Sequence, residues 1–347
     1  MKWALTLLIL FFCTFFLIRQ TGRWILKRTP EGGIHEQMYV PINGTRQWIS
    51  IYGKNRDNPV LLYLHGGPGA STSSYDYAFT RKWADVYTVV TWDQRNCGKS
   101  WLHDRSDTEL TYDLWMRDGL EMTRFLLKHL GKEKITLLGH SWGTIFGCNL
   151  VQAFPEYYDC YIGTGQLVDF RQNEEAFLAE ASRWTEQDPE GRKLLRKMNV
   201  GTFSAEYRDT RNALMKKYSY DMFANGRDYS LSAALFFNPY HSLCDYLHLR
   251  RFDFSAYEIF LNSVEFEKFS LAGRFHYQLP YYNINGDRDY QTNFRLAQDY
   301  FDCICAPKKE LYLMKDTTHG LLESKSEEFS KILHQIAQKE RSKEEKQ

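Results

Sequence analysis

The 347-residue sequence predicts an α/β fold: a mostly parallel sheet with helices on both faces, carrying an inserted helical segment and preceded by an apolar helix. Three observations predict it. Apolar runs at 60–64 (VLLYL), 87–92 (YTVVTW) and 135–138 (ITLL) alternate with helix-patterned stretches. Runs without polar interruption suit strands buried on both faces, and their alternation with helices suits a parallel sheet. From about residue 169 to 266 strand signals fade into helical, aromatic and charged sequence, then return at 282–285 and 311–314. Finally, residues 3–18 (WALTLLILFFCTFFLI) carry no charge.

Taken in order, 3–18 is slightly short for a hydrocarbon core of ~30 Å at ~1.5 Å per helical residue. Trp24, Ile25 and Leu26 extend it into the interface. It shows no small-residue cleavage site and no polar face, so it reads as a membrane anchor over 1–28 rather than a cleaved signal or a core helix. Lys2 precedes it, whereas Arg19, Arg23, Lys27 and Arg28 follow it. That bias places the large C-terminal part on the cytoplasmic side. Residues 37–40 and 46–52 alternate around Asn43-Gly44 and read as a hairpin. Asn43-Gly44-Thr45 also fits a glycosylation acceptor, a common tripeptide.

The next strands are 60–64 and 87–92. Residues 110–130 have helical spacing through Leu114, Met116, Leu120, Phe125 and Leu126. The strand at 135–138 leads at once into a helix ending near Leu150. Residues 326–338 close the fold as a helix, and 339–347 (KERSKEEKQ) read as a solvated charged tail. The expected organisation is anchor 1–28, core 34–168, helical cap 169–266, core 267–338 and tail 339–347.

Hydrophobic residues at 43% and charged residues at 25% exclude wholesale disorder. With Lys+Arg 44 against Asp+Glu 43 there is no broad basic field, which argues against nucleic acid as a partner. Seven cysteines are an odd number without C-x-x-C or Cys/His spacing. They read as free buried thiols, and neither a metal nor a cofactor is expected.

Gly139-His140-Ser141-Trp142-Gly143 fits G-x-S-x-G between a strand and a helix, the sharp corner on which a nucleophilic serine is held. His65-Gly66-Gly67-Pro68-Gly69 follows the strand at 60–64. Its glycines let backbone N–H groups face a ligand, as an oxyanion site requires. One oxyanion donor is expected from this loop and the other from Trp142; His65 reads as a brace for the loop. A serine nucleophile also needs a base and an acid, in the order Ser, Asp or Glu, His. His319 in K-D-T-T-H-G and Asp289 in N-I-N-G-D-R-D both follow strand-like runs. Asp287 competes with Asp289, which is favoured because Asp287 sits closer to the strand end and suits the turn. His129, His241 and His248 read as surface or cap residues.

With these residues in place, the chain resembles the proline iminopeptidase family, serine peptidases of the α/β-hydrolase fold. The resemblance rests on H-G-G-P-G at 65–69, D-Q-R-N-C-G-K-S at 93–100, G-H-S-W-G at 139–143, G-D-R-D at 286–289 and His319-Gly320. It implies Ser141, Asp289 and His319 as a catalytic triad, with Gly67 and Trp142 as oxyanion donors. Asp93, Gln94 and Arg95 match a signature read as an ion-paired loop beside the site. The family usually has Gly where Asn96 stands. It also binds a free substrate N-terminus through cap glutamates that do not align here. Glu174, Glu175, Glu258 and Glu265 lie in the insertion, where a solvated helix face is the stronger reading for each. The expected activity is aminopeptidase cleavage of short peptides, including release of N-terminal proline. Carboxylesterase or lipase-like hydrolysis by the same triad is the alternative. Dehalogenases and epoxide hydrolases place Asp at the position of Ser141.

Overall fold

Lys2–Leu26 form one 25-residue helix, α1, in the computed structural model, which describes residues 2–198 and 202–344. Residue 1 of the expected anchor, 199–201 of the helical segment and 345–347 of the tail lie outside the described residues. Stretch Trp3–Leu26 is long and apolar enough to cross a membrane. The apolar side chains of its first four turns face outward, with Leu7, Phe11 and Leu17 each more than 60% exposed.

Positive φ at Asn43 (41°) and Gly44 (82°) makes the tight turn of the first hairpin. Such two-residue loops match the twist of the flanking strands. The turn joins β1 (Ile34–Ile42) to β2 (Thr45–Gly53), pairing Ile42 with Thr45. The Asn43 amide donates to Asp118 at 2.8 Å. It is thereby engaged within the fold, which weighs against the glycosylation reading.

The remaining strands are β3 (Val60–Leu64), β4 (Thr88–Asp93), β5 (Ile135–His140), β6 (Tyr158–Thr164), β7 (Tyr281–Gly286) and β8 (Lys309–Met314). They form one eight-stranded sheet in the order β1-β2-β4-β3-β5-β6-β7-β8. Only the β1–β2 and β2–β4 pairs are antiparallel. The apolar runs lack alternation because both faces are covered. Leu62, Leu64, Ile135 and Leu137 pack into one core, and Leu61, Tyr63 and Leu138 into another on the opposite side.

Between β3 and β5 lie α2 (Tyr77–Thr80), α3 (Gly98–His103) and α4 (Tyr112–Leu130); α5 (Trp142–Ala153) follows β5. Thr111 caps α4 by accepting from the Leu114 N–H, and Gly131 ends it in the left-handed region. Between β6 and β7 the elements among the described residues are helices: α6 (Phe170–Thr185), α7 (Pro189–Leu195), α8 (Ala205–Lys217), α9 (Leu231–Phe237), α10 (Leu243–Leu249), α11 (Ser255–Leu261) and α12 (Val264–Glu267). Then come α13 (Phe294–Cys303), α14 (Leu321–Ser324) and α15 (Ser326–Glu344).

Three expectations need correcting. Strand β6 (YDCYIGT) was not anticipated; Asp159 and Gly163 interrupt its apolar run, and its place between β5 and β7 fixes it as a strand. The closing helix expected at 326–338 is longer, since α15 runs on through the charged tail to Glu344. Lys, Glu and Arg are good helix formers, and Arg341 donates to Asn58 and to the Val86 carbonyl at 2.8 and 2.9 Å. The cysteines are free, but only Cys97, Cys148 and Cys160 are buried; Cys13, Cys244, Cys303 and Cys305 are exposed.

Candidate active site

Strand β5 ends at His140 and α5 begins at Trp142, which isolates Ser141 in the corner at φ 55°, ψ −121°. Non-glycine residues rarely adopt positive φ, at a cost of roughly 1–3 kcal/mol. Close packing holds it there. A Cβ at Gly139 would overlap the Gly143 carbonyl, and one at Gly143 would overlap the Leu64 carbonyl oxygen. The Ser141 N–H donates to the Thr164 carbonyl at 3.0 Å. A Cβ at Gly66 would meet the Ser141 Cβ at 3.1 Å, so the glycine loop abuts the serine. Trp142 is the first residue of α5. Its N–H is therefore among those that helix geometry leaves without an internal acceptor.

His319 follows β8 and Asp289 follows β7, at the same edge of the parallel strands where Ser141 follows β5. His319 Nδ1 lies 2.7 Å from Asp289 Oδ2. The carboxylate can only accept, so Nδ1 carries the proton and the neutral ring keeps its lone pair on Nε2. Asp289 is fully buried and saturated: Oδ1 accepts from the N–H groups of Gln291 (2.9 Å) and Thr292 (3.1 Å), and Oδ2 also accepts from the Thr292 hydroxyl at 3.1 Å. Asp287 instead accepts from the Thr317 N–H at 3.2 Å, which serves the turn. Gly165, at φ 57°, lets the β6 end pass close by. A Cβ there would sit 2.9 Å from His319 Cε1 and 3.3 Å from Asp289 Oδ2.

Several buried groups surround this pair. The His140 ring lies 4.7 Å from that of His319, and both its nitrogens are buried without hydrogen bonds among the described residues. Burial holds His140 well below the usual histidine range, so it stays neutral. Glu323, on α14, is buried; burial pushes its carboxyl up to about 7 even though His319 pulls the other way. His65 is likewise driven down to about 4 by burial. Its Nδ1 lies 2.8 Å from the Gly66 carbonyl, the bracing contact expected of it.

The signature loop is ion-paired as anticipated. Arg95 grips Asp118 of α4 through Nε (2.7 Å) and Nη2 (2.8 Å), with both side chains buried. Asp93 accepts from Ser73 at 2.7 Å, from the Lys99 N–H at 2.7 Å and from Ser71; burial still raises it to about 6. Asn96 stands at φ 59°. Asparagine is among the few residues that tolerate this region, which accounts for its replacing glycine. Its amide also donates to the Ser106 carbonyl at 2.8 Å.

A cavity of about 730 Å³ is lined by α6, α11 and α12 residues and by Ile145, one turn along α5 from Ser141. Neither Ser141 nor His319 lines it. Of the insertion glutamates, Glu174 and Glu175 line it, whereas Glu258 and Glu265 do not. Glu258 pairs with Arg208 at 2.9 Å, and Glu265 accepts from Lys268 and the Tyr112 N–H. Glu174 is buried and is bound by Arg211 (3.0 Å) and the Tyr207 hydroxyl (2.8 Å). Glu175 is exposed and has no hydrogen-bond or ion-pair partner among the described residues.

Sequence reasoning assigned no role to His140, Gly165 or Glu323. His140 lay inside the G-x-S-x-G match, which was the available signal; nothing local marked the other two. His241 was read as a surface or cap residue. It is fully buried in the helical segment, with Nε2 2.9 Å from the Ser73 hydroxyl.

Residues 59–244 match the sequence profile of the alpha/beta hydrolase fold. A probable aminopeptidase of Bacillus subtilis (strain 168) is 36% identical over 135 residues, 39% of this chain and 42% of that protein. A proline iminopeptidase of Clostridioides difficile (strain 630) is 30% identical over 183 residues, 52% of this chain and 60% of that protein. Neither alignment reaches two thirds of the relative's length. The crystal structure of a proline iminopeptidase-related protein from Thermus thermophilus superposes with a TM-score of 0.53 at 19% identity, over 87% of this chain and 98% of that one. At that identity the likeness is one of fold. The profile covers more than half of the residues, and the chain belongs to the alpha/beta hydrolase fold family.

Proposed function

We propose that this chain is a membrane-anchored serine hydrolase that releases N-terminal residues, proline among them, from short peptides. The observation that carries the chemistry is the 2.7 Å Asp289–His319 bond, formed at the strand edge where Ser141 is held in its corner. His319 Nε2 takes the proton of the Ser141 hydroxyl as Oγ attacks the carbonyl carbon. The N–H groups of Gly67 and Trp142 receive the developing oxyanion. The tetrahedral intermediate collapses, His319 gives the proton to the leaving amine, and an acyl-enzyme remains. Water, deprotonated by the same imidazole, then frees Ser141. Asp289 stabilises the imidazolium at each stage and is not itself protonated.

Residues 169–266 serve as a cap over this edge in this reading. The relatives named as aminopeptidase and proline iminopeptidase support a substrate with a free amine. So does Glu175, a carboxylate at the 730 Å³ cavity without an ion-pair partner among the described residues, since a bound ammonium calls for an anionic partner. A second reading, ester hydrolysis, is favoured by one observation. A mostly apolar recess of about 370 Å³ begins at Gly69 and Ala70 of the glycine loop, with Leu249, Phe252 and Phe254 on one side and Ser71, Ser73, Ser74 and His241 also in its lining, where an acyl chain would fit. Helix α1 anchors the chain, and its basic C-terminal flank keeps the catalytic part cytoplasmic.

Prolyl and alanyl arylamides separate the two readings. The free-amine forms are expected to be cleaved and the N-acetylated forms to resist. Glu175→Gln is expected to raise KM by roughly tenfold at unchanged kcat, the loss of one charge pairing. Equal rates on free and acetylated arylamides, or turnover of p-nitrophenyl esters alone, would reject the aminopeptidase reading in favour of the esterase.

A further inference from the structure

Helix α1 is not a detached tail. Arg19, buried, donates from Nη2 to the His241 carbonyl at 2.9 Å, and Arg23 donates to the carbonyls of Asn238 (3.0 Å) and Pro239 (3.3 Å). Those carbonyls lie in the short link between α9 and α10. One turn farther out on α1, the Phe15 ring lies 4.5 Å from that of Phe236, at the end of α9. Phe15 precedes Arg19 by four residues, about 6 Å along a helix axis. Phe15 also belongs to the stretch long and apolar enough to span a bilayer. A bilayer around that stretch therefore takes in the Phe236 ring and brings the α9–α10 link to its surface.

The α10 face beside this clamp has the chemistry of such a position. Leu243 and Leu247, one turn apart, are 50% and 61% exposed. Arg250 and Arg251 follow, exposed and without ion-pair partners among the described residues. Apolar side chains backed by cations suit the boundary between acyl chains and anionic headgroups. The Arg19 and Arg23 bonds hold α1 against the link that leads into α10, so the lipid around α1 is the partner this face is placed to meet.

We infer that α9 and α10 form a lipid-docking surface that rests the helical segment on an anionic bilayer beside α1. The inference relies on the anchor reading of α1 above. The consequence is positional: α10 ends at Leu249, which lines the apolar recess at the glycine loop, so that recess lies close to the membrane surface.

The full-length chain in phosphatidylcholine–phosphatidylglycerol vesicles tests this. Cys244, exposed on α10, becomes the only exposed thiol in a Cys13→Ala, Cys303→Ala, Cys305→Ala variant; keeping Cys303 in place of Cys244 gives the control. Each carries a bimane fluorophore. After flotation establishes vesicle binding, shallow nitroxide lipids are expected to quench Cys244 at least about threefold more than Cys303, and aqueous iodide the reverse. Adding Leu243→Glu and Leu247→Glu is expected to remove that difference while flotation persists. Flotation with iodide quenching equal at both sites would overturn the docking surface alone. Failure to float would overturn the anchor reading as well. Shielding of Cys244 from both quenchers, with cross-linking between copies, would give the face to a second copy and overturn the lipid assignment.

Discussion

Ser141→Ala is expected to lower kcat/KM by roughly 10⁴- to 10⁶-fold, leaving only what the oxyanion donors and substrate binding supply. The fold should be retained, with a stability change within about 1 kcal/mol. The side chain removed is one hydroxyl, and the corner is held by the contacts of Gly139 and Gly143 rather than by Ser141 Oγ. Steady-state kinetics with circular dichroism on the same preparation check both halves. Near-normal turnover in the variant would place the nucleophile elsewhere.

Asp118→Ala is expected to have the largest effect on stability, roughly 3–5 kcal/mol by denaturant titration. Asp118 is fully buried and holds four donors: Arg95 Nε and Nη2, the Asn43 amide and the Gln47 amide, all between 2.7 and 2.9 Å. Removing it strands the Arg95 guanidinium in the core next to the hairpin turn. The exposed pair Arg46–Asp104 is the contrast, because it sits in solvent with Asp104 one third exposed; Asp104→Ala should cost no more than about 1 kcal/mol. Joint replacement of Arg95 by Met and Asp118 by Leu should cost less than Asp118→Ala alone, since no unpaired charge remains. A cost for Asp118→Ala as small as that at Asp104 would contradict the assignment of a buried hub.

These two sites differ in how far the sequence exposed them. Ser141 stood out because G-x-S-x-G fell between an apolar strand and a helix. Asp289 and His319 followed from residue order after two further strands. Residues 60–64 and 135–138 were legible as strands for one physical reason, continuous burial in a sheet covered on both faces; 311–314 was legible from its apolar residues, although β8 is only partly buried and Leu313 is exposed. Strand β6 was hidden because Asp159 and Gly163 break that pattern, and only its neighbours β5 and β7 supply the reason for its extended form. Nothing local in the sequence marks Asp118, because its four donors come from the hairpin and the signature loop, up to 75 residues away. The same holds for Gly165, whose missing side chain matters only because His319 and Asp289 pack against it. Glu258 and Glu265 satisfied the composition of an ammonium site, but local cations and a helix N-terminus claim them first.

The central claim, acyl transfer through Ser141 with His319 as base, is tested most directly by covalent labelling. The protein is treated with a fluorophosphonate, its intact mass is measured and the modified peptide is sequenced. One adduct per chain on Ser141 is expected, blocked in Ser141→Ala and slowed by at least about 100-fold in His319→Gln, where no imidazole takes the proton. Labelling at another residue, or undiminished labelling of either variant, would contradict it.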